Sequence, residues 1–243
     1  MNVLLTKGWY VIIPDYEGPN AAFTAGRLAG MATLDSIRGV LSTEAKTNLN
    51  PAAKVALWGF SGGSLPTSWA ALLQPSYAPD LRDTLVGAAF GGWVSNITRT
   101  VRFLEGGIFS GFVASGILGL VSEYPSVQTE IWDFVNQTKI GKLNETVSQC
   151  LIQTLLQFPF SEYFSGDDPY FPTKYELFDR PEVHAMLVDN TITAKRLSIY
   201  DWIVRMIDKI GPIPIKRDEL FDADDFEALF GSKYRLWSDS IIH

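Results

Sequence analysis

Histidine and cysteine are the scarcest chemically useful residues in this chain of 243: two histidines, His184 and His243, and one cysteine, Cys150. A zinc site takes three or four thiolate or imidazole ligands, so structural zinc is excluded, and one cysteine makes no disulfide within the chain. Cys150 reads as a small buried hydrophobe, or as half of a bridge to a cysteine elsewhere. Basic residues are also few, 20 Lys and Arg against 27 Asp and Glu, for a formal charge of −7. No basic stripe is visible, which removes nucleic acid from the partners to consider. Long apolar runs are missing too. One long uncharged stretch, Gly106–Ser122, is 17 residues with five glycines. That is short of a transmembrane span and reads as a buried or lipid-facing helix pair. Met1–Thr6 lacks the basic and apolar regions of a signal peptide. What remains is a chain with 47% hydrophobic residues, enough to bury the core of one α/β domain or two small ones.

The first 93 residues alternate two periodicities. Trp9–Ile13 is a short run of β-formers stopped by Pro14. Leu28, Met31, Leu34, Ile37 and Leu41 then recur at three and four, as on a helix face, with Asp35 and Arg38 one turn apart to pair outside it. Lys54–Trp58 is a second apolar run, Gly62–Leu73 a helix ending before Pro75, and Leu85–Phe90 a third, buried strand closed by Gly91-Gly92. Strand, helix, strand, helix, strand with short breaks predicts an α/β fold with a mostly parallel sheet. From about Asn96 to Phe158 the strand signal disappears. Val147, Cys150, Leu151, Thr154, Leu155 and Phe158 share one helical face, and the segment reads as a helical insertion. The expected organisation is a core at 1–95, a helical cap at 96–165, a return toward the core at 166–193 with a short helix at Glu182–Val188, and a charged segment at 194–243. That last segment holds the acidic run Asp218–Glu227 and an amphipathic pattern at Trp202, Ile203, Met206, Ile207 and Ile210. Three N-x-T sequons, at Asn96, Asn136 and Asn144, tilt toward a secretory route.

The chemistry is concentrated in Gly59-Phe60-Ser61-Gly62-Gly63, a G-x-S-x-G motif. It directly follows one predicted strand and opens a predicted helix, the setting a nucleophile elbow requires. Such a turn is tight, so a Cβ at Gly59 or Gly63 is expected to collide with backbone, and Ser61 is expected in a strained conformation that exposes its hydroxyl. The helix N-terminus behind it favours the negative charge that develops on an attacked carbonyl oxygen. The Gly62 N–H is the candidate oxyanion donor.

Gly8–Pro19, Thr24–Arg27, Leu34–Arg38, Lys54–Gly63, Gln74–Leu81 and Gly87–Gly92 together resemble the fungal secretory lipases, α/β-hydrolases of the Candida secreted-lipase and lipase A type. The likeness is dense to about residue 125 and thins through the helical segment. It implies an α/β-hydrolase core with a helical cap, a serine hydrolase acting on lipid esters such as triacylglycerols, a lipid–water interface as its place of work, secretion, and no metal or cofactor. It also implies an aspartate in a Gly-x-x-Asp loop and a later histidine, and neither pattern follows Thr193. His184 comes early, inside family scaffold; His243 lies in the right late region but is the last residue. Two other readings therefore stand beside a working lipase: a truncated or catalytically inactive member of the family, and a non-catalytic lipid-binding protein.

Overall fold

The computed structural model describes residues 5–192. The features at Trp202–Ile210, Asp218–Glu227 and His243 lie outside the described residues. Two compact units emerge, one of residues 5–16 and Leu28–Val94, the other of Glu17–Arg27 and Ser95–Ile192.

The first unit is built on a parallel pair of strands, β1 (Val55–Phe60) and β2 (Leu85–Gly91), in register from Ala56 opposite Gly87 to Phe60 opposite Gly91. Helix α1 (Gly26–Leu41) contributes Leu34 and Ile37 to the core, as its three-and-four spacing predicts. A short helix α2 (Glu44–Thr47) ends at Asn48, whose left-handed φ of 55° breaks the chain before β1. Helix α3 (Ser64–Tyr77) connects the strands, since parallel neighbours need a crossover. Leu34, Ile37, Leu57, Ala70, Ala78, Leu81 and Leu85 form one buried cluster. Helices α1 and α3 approach closely because Gly30 has no side chain: a Cβ there would lie 2.6 Å from Trp69 Cβ. Outside the core, Arg38 binds Asp35 at 2.8 Å and Asp80 at 2.5 Å, and the Tyr77 hydroxyl donates to Asp35 at 2.7 Å.

Three sequence expectations need correction here. Trp9–Ile13 is not a strand; Trp9, Tyr10 and Ile13 are more than 60% exposed. β-propensity makes a strand only where a neighbour pairs with it, and among the described residues only β1 and β2 pair. The strand at Leu85–Phe90 is half-buried rather than buried: Leu85 points into the core while Ala89 is exposed, and in β1 likewise Leu57 points inward while Trp58 and Phe60 are 75% and 68% exposed. Helix α3 runs through Pro75 to Tyr77. In the last turn a proline removes one hydrogen bond rather than a run of them.

The second unit is helical, with no strand among its described residues. Helix α4 (Ile97–Leu104) is capped by Asn96, whose side chain accepts from Arg99 N at 3.0 Å. Helices α5 (Gly111–Glu123), α6 (Pro125–Phe134), α7 (Ile140–Glu145), α8 (Leu151–Gln157) and α9 (Pro181–Asp189) follow. The glycines of the uncharged run permit close backbone approach: a Cβ on Gly119 would lie 2.3 Å from Phe23 O, and one on Gly111 2.7 Å from Thr154 O. Phe158, Tyr163 and Phe171 are fully buried, and the Phe164 and Phe171 rings stack at 4.9 Å. No helix of the described residues is long and apolar enough to cross a membrane.

Two expectations fail in this unit. The face from Val147 to Phe158 is not one helix. A 3₁₀ turn at Thr146–Ser148 and an extended Gln149 separate α7 from α8, which leaves Val147 75% exposed while Thr154 and Phe158 are buried. Cys150 is exposed rather than buried. It is the N-cap of α8, where its N–H donates to Gln153 Oε1 at 2.9 Å, and a cap residue sits outside the packed face.

Candidate active site

β1 delivers the chain to Ser61 in extended form, with Phe60 at φ −130° and ψ 142°. At Ser61 the backbone switches to φ 52°, the left-handed region that costs an L-residue about 1–2 kcal/mol. A 3₁₀ turn over Ser61–Gly63 then leads into α3. The switch reverses the chain over one residue and leaves Ser61 exposed at its crest, while Ser64 and the residues after it are buried.

The glycine requirement is unequal. A Cβ on Gly59 would lie 2.0 Å from Gly63 O and 2.4 Å from Thr67 Oγ1. At Gly63 a Cβ would meet nothing within 4 Å, and its φ of −69° is ordinary helical backbone. The expected collision at Gly63 therefore does not exist. The close approach is made by the carbonyl of Gly63, which crosses over the Cα of Gly59, and only Gly59 has to be bare.

Two residues that the motif alone does not reveal hold the turn. Ser64 is fully buried. Its hydroxyl donates to Ser61 O at 2.5 Å, accepts from Val94 N at 3.0 Å and lies 3.3 Å from Gly92 O. It thus ties the Ser61 turn to the loop that leaves β2. Gly92, at φ 58°, brings that loop against the serine: a Cβ there would lie 3.3 Å from Ser61 N. The available signals were a serine three residues beyond Ser61, at the start of a predicted helix, and a glycine pair closing the neighbouring strand.

Gly62 is partly buried in the 3₁₀ turn next to Ser61. Its N–H belongs to the first turn of a helical run, where backbone donors lack intrahelical acceptors. His184 lies exposed on α9 in the second unit, its backbone N–H bonded to Arg180 O at 2.7 Å; His243 lies outside the described residues. Among the described residues, no three His, Cys, Asp or Glu side chains gather into a group able to hold a metal ion.

A parallel strand, a left-handed serine and a helix leading away from it are the parts from which an α/β-hydrolase builds a nucleophile elbow. Solved structures carry the same fold. The closed-state crystal structure of Candida antarctica lipase A superposes with a TM-score of 0.70 at 36% identity, over 80% of this chain and 44% of that one. A second crystal structure of that lipase gives 0.69. The profile of the secretory lipase family matches residues 1–213, so the chain belongs to that family. The match runs past Ala194, where the composition changes. Among curated relatives, Lipase 1 of Candida albicans is 43% identical over 189 residues, covering 78% of this chain and 40% of its own length. Lipase 10 of the same organism is 39% identical, covering 97% of this chain and 49% of its own length. Lipase A of Arthroderma benhamiae is 40% identical, covering 86% and 44%. The chain thus spans about half or less of the relatives it matches.

Proposed function

We propose that this chain carries the nucleophile of a secreted serine hydrolase that cleaves carboxylic esters of lipids, triacylglycerols among them, at a lipid–water interface. The observation that carries the reading is the geometry of Ser61: exposed, at φ 52°, between β1 and α3. Its hydroxyl oxygen attacks the ester carbonyl carbon and the carbonyl π-electrons move to oxygen. The Gly62 N–H and the N-terminal end of α3 stabilise that oxyanion. A histidine takes the hydroxyl proton and returns it to the departing alcohol; water then releases the acyl group by the same steps in reverse. The relatives' printed names, lipases throughout, support a lipid ester as substrate, and the family's description supports a secretory route. In this reading residues 1–95 serve as the hydrolase core, 96–165 as a cap made of helices, and 166–193 as the return to the core. No metal or cofactor takes part. The strained turn favours hydrolysis over a purely lipid-binding role, because binding gives no reason to hold a serine in the left-handed region.

A fluorophosphonate probe tests the assignment. Its phosphorus is attacked by an activated serine as an ester carbonyl is. Ser61 is expected to be the labelled residue, and Ser61→Ala to abolish both labelling and hydrolysis of nitrophenyl esters. Labelling that persists in the alanine variant refutes it.

A further inference from the structure

Of the three sequons, one is folded into a local turn that ties the threonine to the asparagine's amide oxygen and leaves its amide nitrogen unbonded among the described residues, and from it we infer that Asn136 is a site of N-linked glycosylation. The segment Asn136–Lys139 follows α6 as a tight turn, with Lys139 N donating to Asn136 O at 2.8 Å. The side-chain oxygen of Asn136 accepts from Thr138 N at 3.0 Å and from Thr138 Oγ1 at 2.8 Å. All the bonding falls on Oδ1. Among the described residues Nδ2 donates to nothing, so the atom that would take the sugar is the free end of the carboxamide. The threonine hydroxyl, which defines the sequon, lies directly against that amide, and Gln137 and Thr138 are both exposed.

The other two sequons are arranged differently. Asn144 lies within α7, where residues two apart point to different sides of the helix, and its Thr146 is buried. Asn96 is the N-cap of α4, and Thr98 lies in that helix's first turn. Only at Asn136 are amide and hydroxyl brought together by four consecutive residues. Such a turn needs no tertiary partner to form, which matters because sugar is transferred to chains still entering the secretory route. In the transfer, Nδ2 forms a bond to the anomeric carbon of an oligosaccharide, loses a proton, and displaces the lipid pyrophosphate that carried the sugar. A glycan there is solvated and bulky. It stands beside the anchor of the turn, where Asn136 N donates to Tyr170 O at 2.7 Å and Lys139 pairs with Asp168 at 2.7 Å.

The inference rests on the secretory route proposed above, and its test supplies that route. The full 243-residue chain is sent through a yeast secretory pathway behind a cleaved leader, and chains that have lost the leader are treated with a peptide N-glycanase in heavy-oxygen water. Peptide mass spectrometry is expected to find Asn136 converted to heavy-oxygen-labelled aspartate. Thr138→Ala should remove that label and one glycan's worth of gel mobility shift, and Thr138→Ser should keep both. An unmodified Asn136 in leader-cleaved chains, or a glycan there in Thr138→Ala, overturns the inference. Neither result touches the hydrolase reading, which stands or falls on Ser61 labelling.

Discussion

The two glycines that flank Ser61 in G-x-S-x-G should respond in opposite directions to alanine. At Gly59 the added Cβ would lie 2.0 Å from the Gly63 carbonyl oxygen and 2.5 Å from its carbon. Contacts under 3.0 Å are essentially never seen for a real Cβ, and the obstruction is backbone rather than the end of a flexible side chain. The carbonyl must retreat by about 1 Å, and overpacking of this kind costs about 1–3 kcal/mol. The same carbonyl accepts from the buried Thr67 Oγ1 at 2.9 Å, and weakening that bond adds about 1 kcal/mol. Gly59→Ala should therefore lose about 2–4 kcal/mol. At Gly63 the Cβ enters open space on helical backbone, so Gly63→Ala should gain about 0.4–1 kcal/mol through a less flexible unfolded chain. Urea denaturation followed by tryptophan fluorescence reads both shifts as displaced midpoints. Phosphonate labelling of Ser61 should be lost with Gly59→Ala and keep its rate with Gly63→Ala. Equal destabilisation by the two variants would refute the carbonyl-over-Cα geometry.

Ser64→Ala removes the hydroxyl that joins the Ser61 carbonyl to the Val94 N–H. It should cost about 0.5–1.5 kcal/mol by taking the partner from a half-buried donor, with slower labelling of Ser61 in the same samples. Tyr124 contributes to the alkaline limit of the helical unit. Burial, and then the hydrogen bond to Asp189 at 2.7 Å, push its phenol well above the ordinary tyrosine range. A folded-state pKa raised above the unfolded one gives stability that is fully present below about pH 10 and is lost as pH rises toward the folded value. Tyr124→Phe should flatten the stability–pH curve above about pH 10, as followed by circular dichroism; an unchanged slope there would show that the phenol does not titrate with folding.

The turn at Ser61 was legible because its determinants are consecutive. Strand period, G-x-S-x-G and helix period lie within Val55–Tyr77, and each excludes alternatives for the next. The pairing of β1 with β2 was readable for the same reason, since a crossover of one helix leaves few topologies. Reading failed where the outcome depends on neighbours distant in sequence. Trp9–Ile13 has the composition of a strand but no strand beside it among the described residues. Pro75 has the chemistry of a stop, but it lies in the last turn of α3, where the helix tolerates it. Val147 and Phe158 share an idealised helix wheel, and two extended residues, Gln149 and Cys150, separate them. The average burial of free cysteines carries no information about a helix cap, which is where Cys150 sits.

Holding Ser61 ready and completing a catalytic cycle are physically separable in this chain. Every group that fixes the turn lies between Val55 and Val94: the strand that enters it, the bare Cα of Gly59, the buried hydroxyl of Ser64, and Gly92 from the neighbouring strand. The strain at φ 52° is thus sustained by contacts of one compact unit. Turnover asks for more, because a serine hydroxyl with no base to take its proton is a weak nucleophile. The two requirements answer to different assays. Stability of the turn follows the Gly59, Gly63 and Ser64 variants, whether or not an ester is cleaved. Rapid, Ser61-specific phosphonate labelling requires the base as well, since phosphorus is attacked by the deprotonating hydroxyl. A chain that passes the stability tests and labels slowly has the elbow without its base; one that passes both has the working centre of a secretory lipase.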